Sequence, residues 1–329
     1  MKKRIVSLIL LVIIVCLCIS ALPACESEEK PHDGPVVYQL GPDEKMLMLG
    51  YVIKTPNNKF VVIDGGGVGK KSKGFLLSAL QEITGQEVPE IEAWFLTHLH
   101  DDHVTEFCDL TKYYDEELGE IKIKDVYFNF PSMEFMERSE TGKYAYLRDD
   151  VQHGYDKIKG KGEFDRINGK NVFEGDVIEI DGVRFDILLT VTDEERESTI
   201  NDTSLIFRAT IEGQTILFLA DAYIPEGQRL LEKYGSELKS DIVQMAHHGQ
   251  AGVKKVVYEA IDPTLCLWPT PEWVYNNKNG NLQTLEVRQW MMDMGIKYHM
   301  ISGVDFTQSL NFPVDFSKLK ERDITPPAQ

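Results

Sequence analysis

Residues 97–103 read Thr-His-Leu-His-Asp-Asp-His, and the apolar run Ile91 to Leu96 leads straight into them. A short apolar run of this kind is the mark of a buried strand. The polar stretch therefore sits where a strand gives way to a turn. His98 and His100 are two apart, and at strand spacing their imidazoles share a face. Asp102 and His103 follow where the chain turns into a helix expected over Val104 to Tyr114. Three imidazoles and a carboxylate this close together form a donor set for a borderline cation such as zinc. The chain has 8 histidines in 329 residues, and three in one short stretch are too concentrated for a merely polar loop.

The first 24 residues read as a targeting segment. Lys2, Lys3 and Arg4 precede an apolar run from Ile5 to Ile19, which has signal-peptide length and is short for a bilayer span. Leu22-Pro23-Ala24-Cys25 follows. A small residue before a cysteine at that place is similar to the cleavage site of bacterial lipoproteins. That resemblance implies lipidation of Cys25 and a body held on the cell membrane, outside the cytoplasm, by acyl chains. An ordinary signal peptide or an uncleaved anchor helix would also place the body outside the cytoplasm. Residues 25–35, charged and carrying Pro31 and Gly34, read as a tether, with His32 as one of its residues.

Residues 36–329 suffice for one large α/β domain with a full core. The formal charge is −18, and loss of the leader would remove only cations. Such a chain repels polyanions, which argues against a general nucleic-acid-binding surface. Beside Cys25, processing leaves Cys108 and Cys266. Two buried free thiols are favoured over a disulfide, and nothing resembles a disulfide framework.

Turn chemistry and periodicity divide the rest. Lys45 to Lys54 and Phe60 to Ile63 form a hairpin across Pro56-Asn57-Asn58, ending in Asp64-Gly65-Gly66-Gly67. Helices are expected over Ser72 to Ile83, Glu226 to Tyr234, Val253 to Ala260 and Leu282 to Met294. Strands are expected over Ile121 to Phe130, twice within Val172 to Leu189, and over Ser204 to Ala209, Thr215 to Leu219, Asp241 to Ala246, Thr264 to Trp268 and Lys297 to Ile301. Pro131 to Lys161 is polar, aromatic and helical in pattern, an insertion rather than a domain. Strands in blocks, in two halves, fit two sheets between helix layers better than one doubly wound sheet.

The pattern His-x-His-x-Asp-His at 98–103 resembles that of the metallo-β-lactamase superfamily. The resemblance implies a four-layer αββα sandwich with metal ligands at strand ends far apart in sequence. It implies the ligands His98, His100, Asp102, His103, Asp221 and His248. Asp221 ends the strand Ile-Leu-Phe-Leu-Ala-Asp as the shared carboxylate, and a charge closing so apolar a strand needs a partner. Asp64 would support the site from behind. His247 and His248 close another strand in Met-Ala-His-His-Gly. Adjacent side chains diverge on an extended strand, so one ligand is expected, His248, with His247 lining the pocket or acting as an acid.

Over about residues 36–305 the blocks look most like the soluble hydrolase domain of ComEC-type DNA-uptake proteins. Asn201-Asp202-Thr203-Ser204-Leu205 and the spacing from Asp221 to His-His-Gly carry that likeness. One departure stands out. Many members of the superfamily carry a further histidine where this chain has Asn201 and Asp202. One group would then be His98, His100 and Asp221, and the other Asp102, His103, His248 and Asp221. Asn201 is expected beside the site. One ion or two, zinc or manganese, are both open. His153 and His299 are expected to be local hydrogen-bonding residues. The run Trp268 to Tyr275 could wall a pocket or pack as a loop.

Ions about 3.5–4 Å apart can activate water near neutral pH and hold the developing charge. Asp102 or Asp221 would orient the attacking hydroxide, and His247 would serve the leaving group. The resulting expectation is an exported, membrane-anchored, metal-dependent hydrolase, with a phosphodiester substrate implied by the resemblance. The partner would be a small-molecule or polymeric ester. A binding lipoprotein with weak or no turnover, and a nuclease acting on short pieces, are the alternatives. No Gly-x-Ser-x-Gly or nucleotide-binding loop competes.

Overall fold

A computed structural model describes residues 32–41, 45–68, 74–112, 120–191, 193–278 and 280–326. The leader, Cys25, the tether up to residue 31, the first residues of the helix expected from Ser72, and Tyr113 and Tyr114 lie outside the described residues. No helix among the described residues is long and apolar enough to cross a membrane.

Residues from Gly34 onward form one compact unit. Its first sheet is built from β1 (Val36–Gln39), β2 (Leu47–Lys54), β3 (Phe60–Val68), β4 (Glu90–Leu96) and β5 (Lys122–Phe128). The second sheet takes β6 (Val177–Ile180), β7 (Val183–Leu189), β8 (Ile206–Ile211), β9 (Gln214–Phe218), β10 (Ile242–Gln244), β11 (Leu265–Pro271) and β12 (Tyr298–Ile301). The last strand, β13 (Gln308–Asn311), returns to the first sheet, whose order is β13-β1-β2-β3-β4-β5. The second sheet runs β12-β11-β10-β9-β8-β7-β6.

Each sheet joins an antiparallel part to a parallel part. β3, β4 and β5 are parallel, connected by helices α1 (Phe75–Thr84) and α2 (Asp101–Lys112). Between β5 and β6 lie α3 (Met133–Arg138), α4 (Ala145–Lys159) and α5 (Glu163–Arg166). β9 to β12 are parallel, connected by α6 (Ile224–Tyr234), α7 (Lys255–Ile261), the short α8 (Glu272–Tyr275) and α9 (Thr284–Asp293); α10 (Ser302–Asp305) follows β12.

Alternation along β4 shows why the layers stack. Ile91, Trp94 and Leu96 pack against the helices on one side, while Ala93 and Phe95 enter the core between the sheets. A strand buried on both faces reads as a continuous apolar run, which is what Ile91 to Leu96 shows. Between the sheets Phe95 stacks on Phe207 at 5.1 Å, and Phe207 on Phe218 at 5.1 Å. A third cluster, including Leu217, Val243, Trp268, Leu230, Val257 and Met291, joins the second sheet to its own helices. The layers are therefore helix, sheet, sheet, helix, the expected αββα arrangement.

Several boundaries move. The α2 helix starts at Asp101, so Asp102 and His103 occupy its first turn, where acidic side chains offset the helix dipole. β10 stops at Gln244, and His247 and His248 lie in a left-handed turn with φ of 49° and 55° rather than on the strand. The Glu212-Gly213 hairpin forms as expected, with Ile211 opposite Gln214. β1 and β13 were not foreseen. Helix α4 reaches α2 closely because Gly154 faces Thr111, where a Cβ would lie 2.1 Å from its Oγ1. Cys108 and Cys266 are both free and buried.

Candidate metal centre

The parallel strands of both sheets deliver their C-terminal ends to one place, the usual location of sites in such sheets. Asp64 ends the regular part of β3, His98 and His100 follow β4, Asp221 follows β9, and His247 and His248 follow β10. Asp64, Ala220, His247 and His248 all adopt positive φ, a conformation costly for residues with a Cβ and found where geometry at a site demands it. Gly66 allows a close backbone approach. A Cβ there would fall 2.5 Å from the carbonyl oxygen of Asp101 and from the carbonyl carbon of His103. β3 thus presses its backbone against the first turn of α2.

Two groups of donors result. Asp102, His103, Asp221 and His248 form one, and His98, His100 and Asp221 the other. His103 Nε2 lies 3.3 Å from Asp221 Oδ1 and 3.9 Å from Asp102 Oδ1. His248 Nε2 lies 2.9 Å from Asp102 Oδ2 and 3.6 Å from Asp221 Oδ2. His98 Nε2 lies 3.2 Å from His100 Nδ1 and 4.0 Å from Asp221 Oδ2. Asp221 therefore belongs to both groups, with Oδ1 toward His103 and Oδ2 lying between His248 and His98.

The other nitrogen of each imidazole is taken. His98 Nδ1 meets Thr97 Oγ1 at 3.1 Å, His103 Nδ1 meets Asp64 Oδ2 at 2.8 Å, and His248 Nδ1 meets the Pro269 carbonyl at 2.6 Å. A carbonyl or carboxylate accepts the N–H, which leaves the inward nitrogen with its lone pair free. Asp64 also accepts from the Thr97 amide at 2.8 Å and the Thr97 hydroxyl at 2.7 Å. It thereby ties β3 to both β4 and α2.

The residues fit a bound cation on physical grounds. His103 Nε2, His248 Nε2 and Asp221 Oδ1 are buried with no hydrogen-bond partner, an arrangement normally costly enough to be avoided. His248 Nε2 and Asp102 Oδ2 stand 2.9 Å apart, close enough to share a proton or a cation between them. Burial alone would lower the His103 pKa, but Asp221, Asp102 and Asp64 together raise it well above the ordinary value. Asp221 is held well below the usual carboxylate range by His103 and His248 despite its burial. Negative charge thus gathers around a position that takes a proton or a metal ion.

Gln244 fixes the Asp221 loop. Its Oε1 accepts from the Leu219 and Ala220 amides, and its Nε2 donates to the Ala220 and Met245 carbonyls. His247 stands at the edge, its Nε2 3.8 Å from Asp221 Oδ2 and 3.5 Å from the Tyr223 hydroxyl. Burial lowers its pKa to about 4, so it is neutral at pH 7 and acts as a hydrogen-bonding imidazole. Asn201 is buried in the 3-10 turn Ile200–Thr203, with its Oδ1 unpartnered.

The remaining sequence candidates fall elsewhere. His153 is exposed on α4 and belongs to neither donor group. His299 accepts from Trp268 Nε1 at 3.2 Å and donates to the Ile296 carbonyl at 3.1 Å. Trp268 and Tyr275 are buried against each other at 5.8 Å, which settles that run as packing. Glu140, whose carboxylate reaches His100 Nε2 at 3.2 Å, is a site residue without a local sequence signature.

Next to the site, Glu226 is buried and caps α6 by accepting from the Tyr223 amide at 3.1 Å. Burial, followed by the Asp202 and Glu197 charges, raises its pKa from 4.5 to about 8. The folded protein therefore holds a proton there that the unfolded chain gives up above pH 4.5. The sign follows from linkage: the contribution is full below pH 4.5 and is lost as pH rises toward 8. Glu226→Gln is expected to raise Tm by several degrees at pH 8 and to leave it unchanged near pH 5. Parallel melting curves of the two proteins at both pH values check this, and an equal shift at both would refute it.

A helix–sheet–sheet–helix fold carrying these donors at its strand ends defines a metal-dependent hydrolase class. The sequence matches the Metallo-beta-lactamase superfamily over residues 50–258, and the chain belongs to that superfamily. No curated protein sequence matches. Among solved structures, the metallo-beta-lactamase fold protein YhfI from Bacillus subtilis is 12% identical with a TM-score of 0.48, covering 84% of this chain and 99% of that one. CmlA, a diiron beta-hydroxylase from Streptomyces venezuelae, is 9% identical with a TM-score of 0.49, covering 85% of this chain and 54% of its own. A diphosphatase from the PhnP family is 12% identical with a TM-score of 0.45, covering 84% and 97%.

Proposed function

We propose that the chain is an exported, lipid-anchored phosphodiesterase of the ComEC-like type that works with two divalent cations, zinc or manganese. The observation that carries the two-ion reading is Asp221, shared between two donor groups, with Oδ1 toward His103 and Oδ2 between His98 and His248. His98, His100 and Asp221 would hold one ion, and Asp102, His103, His248 and Asp221 the other. Bound there, the ions would supply hydroxide at neutral pH and charge to balance a phosphoryl oxygen.

The chain's own residues supply orientation. Asp102 or Asp221 would accept a hydrogen bond from the attacking hydroxide and fix its direction. His247, neutral and at the rim, donates a hydrogen bond toward the leaving oxygen, with the Tyr223 hydroxyl beside it. Asn201, replacing the extra histidine of many relatives, offers a neutral oxygen in place of a ligating imidazole. That favours a phosphodiester over a β-lactam. The formal charge of −18 leaves the cations as the main attraction for an anionic ester, which favours short substrates over long polyanions. The leader and Cys25 support the anchored, extracytoplasmic placement.

The full-length chain, expressed in a bacterial host, is expected in the membrane fraction, to carry about two equivalents of zinc or manganese, and to hydrolyse bis-p-nitrophenyl phosphate. Recovery in the soluble fraction would remove the anchor and leave the hydrolase intact. Metal without phosphodiester turnover would move the substrate to another ester or amide. Neither metal nor turnover after zinc or manganese is added back would favour a binding lipoprotein of the same fold.

A further inference from the structure

Of the four imidazoles that enter the two donor groups, His100 is oriented differently. The others turn Nε2 inward, whereas His100 presents Nδ1 to His98 Nε2 at 3.2 Å. Its outward nitrogen is Nε2, and the group that meets it is Glu140, with Oε1 at 3.2 Å and Oε2 at 3.3 Å. A carboxylate with both oxygens nearly equidistant from one ring nitrogen holds that nitrogen as N–H. The lone pair is then left on Nδ1, facing the donor group. The Tyr144 ring packs against the imidazole at 4.6 Å between centroids, which limits its rotation.

Glu140 comes from residues 131–161, the segment between β5 and the second sheet. The 3-10 turn Ser139–Gly142 lifts it over the site, with Glu140, Thr141 and Gly142 at φ of 47°, 59° and 72°. Two of those residues pay for a left-handed backbone that a glycine would take freely. The turn is held from several sides. Glu140 Oε1 also accepts from the Ile200 amide at 3.2 Å, the Ser132 amide donates to Glu194 Oε2 at 2.8 Å, and Ser139 Oγ reaches the Ser198 carbonyl at 3.5 Å. Through Ile200, the same carboxylate touches the turn that carries Asn201, and through Gly154 the segment packs directly on the helix that carries His103.

We propose that Glu140 is the positioning residue of His100, fixing its Nε2–H tautomer so that Nδ1 can complete the His98, His100 and Asp221 group. The Glu140–His100 contact thereby sets the affinity of the position held by His98, His100 and Asp221, because Glu140 touches no imidazole of the other group. The proposal rests on the two-ion reading. Removal of such a carboxylate behind a ligating histidine typically costs 10–100-fold in metal affinity.

The test uses full-length protein and zinc alone. Zinc affinity and stoichiometry are measured by competition with a chromophoric chelator, and the His100 tautomer by long-range 1H–15N NMR of the zinc-loaded protein. Glu140→Ala is expected to hold one equivalent as wild type does and to weaken the other about 10–100-fold, with mixed tautomers at His100. Glu140→Asp keeps the charge and tolerates a left-handed backbone but is too short to reach Nε2, so it is expected to behave like alanine. It also serves if the alanine variant misfolds. Glu134→Ala, exposed on the same segment, is the unaffected control. Two wild-type zinc affinities and an unchanged His100 tautomer in Glu140→Asp would overturn the proposal. A wild-type protein that takes up no zinc would instead overturn the metal reading itself.

Discussion

Asp221→Asn is expected to abolish turnover, by on the order of 10³ or more, and to cut bound metal from about two equivalents to at most one. The reason is the double membership of this carboxylate. Its Oδ1 faces His103 Nε2 at 3.3 Å, and its Oδ2 faces His98 Nε2 at 4.0 Å and His248 Nε2 at 3.6 Å. An asparagine keeps the shape but offers one neutral oxygen and an N–H pointing at an imidazole. The fold should survive, since Gln244 and not Asp221 holds the Leu219–Ala220 backbone. Elemental analysis with a hydrolysis assay on the folded variant reads both effects. Full metal content in that variant would remove Asp221 from the shared position.

Gly66→Ala is expected to be strongly destabilising, by about 3 kcal/mol and on the order of 5–10 °C in Tm. The added methyl would sit 2.5–2.6 Å from Asp101 O, His103 C and His103 N, and these are backbone atoms that cannot rotate away. Relief requires β3 to part from α2. That would also stretch the Asp64–His103 contact of 2.8 Å, so metal affinity should fall together with stability. Denaturant titration of the metal-free and metal-loaded forms measures the two effects. A variant as stable as the parent would show that β3 and α2 are not in the contact described.

The part of the site that was legible in the sequence is the part with local signatures. His98, His100, Asp102 and His103 announce themselves by spacing, and Asp221 and His248 by charge at the ends of apolar strands. Glu140 could not be read because nothing around Arg138-Ser139-Glu140-Thr141-Gly142 differs from an ordinary polar turn. Its meaning arises only from His100, distant along the chain. The divergence of His247 and His248 was expected from an extended strand, but the structure obtains it from two successive left-handed residues. For the fold, β4 and the Glu212-Gly213 hairpin were plain from pattern. β13 has one buried apolar residue, Leu310, among Gln308, Ser309 and Asn311, and β1 has four residues directly after the expected tether. Neither is long enough to carry a period, and both exist because each supplies the other's hydrogen bonds.

That mutual pairing sets a timetable. β1 lies between β2 and β13 in register with both, Val37 opposite Leu310 and Ile53, and Leu310, Phe312 and Val314 enter the core between the sheets. The outer edge of β1 stays uncovered until β13, which follows the whole second sheet in sequence, has been made. Until then it is an open template for unwanted pairing. The first sheet therefore closes only after every strand of the second has been made.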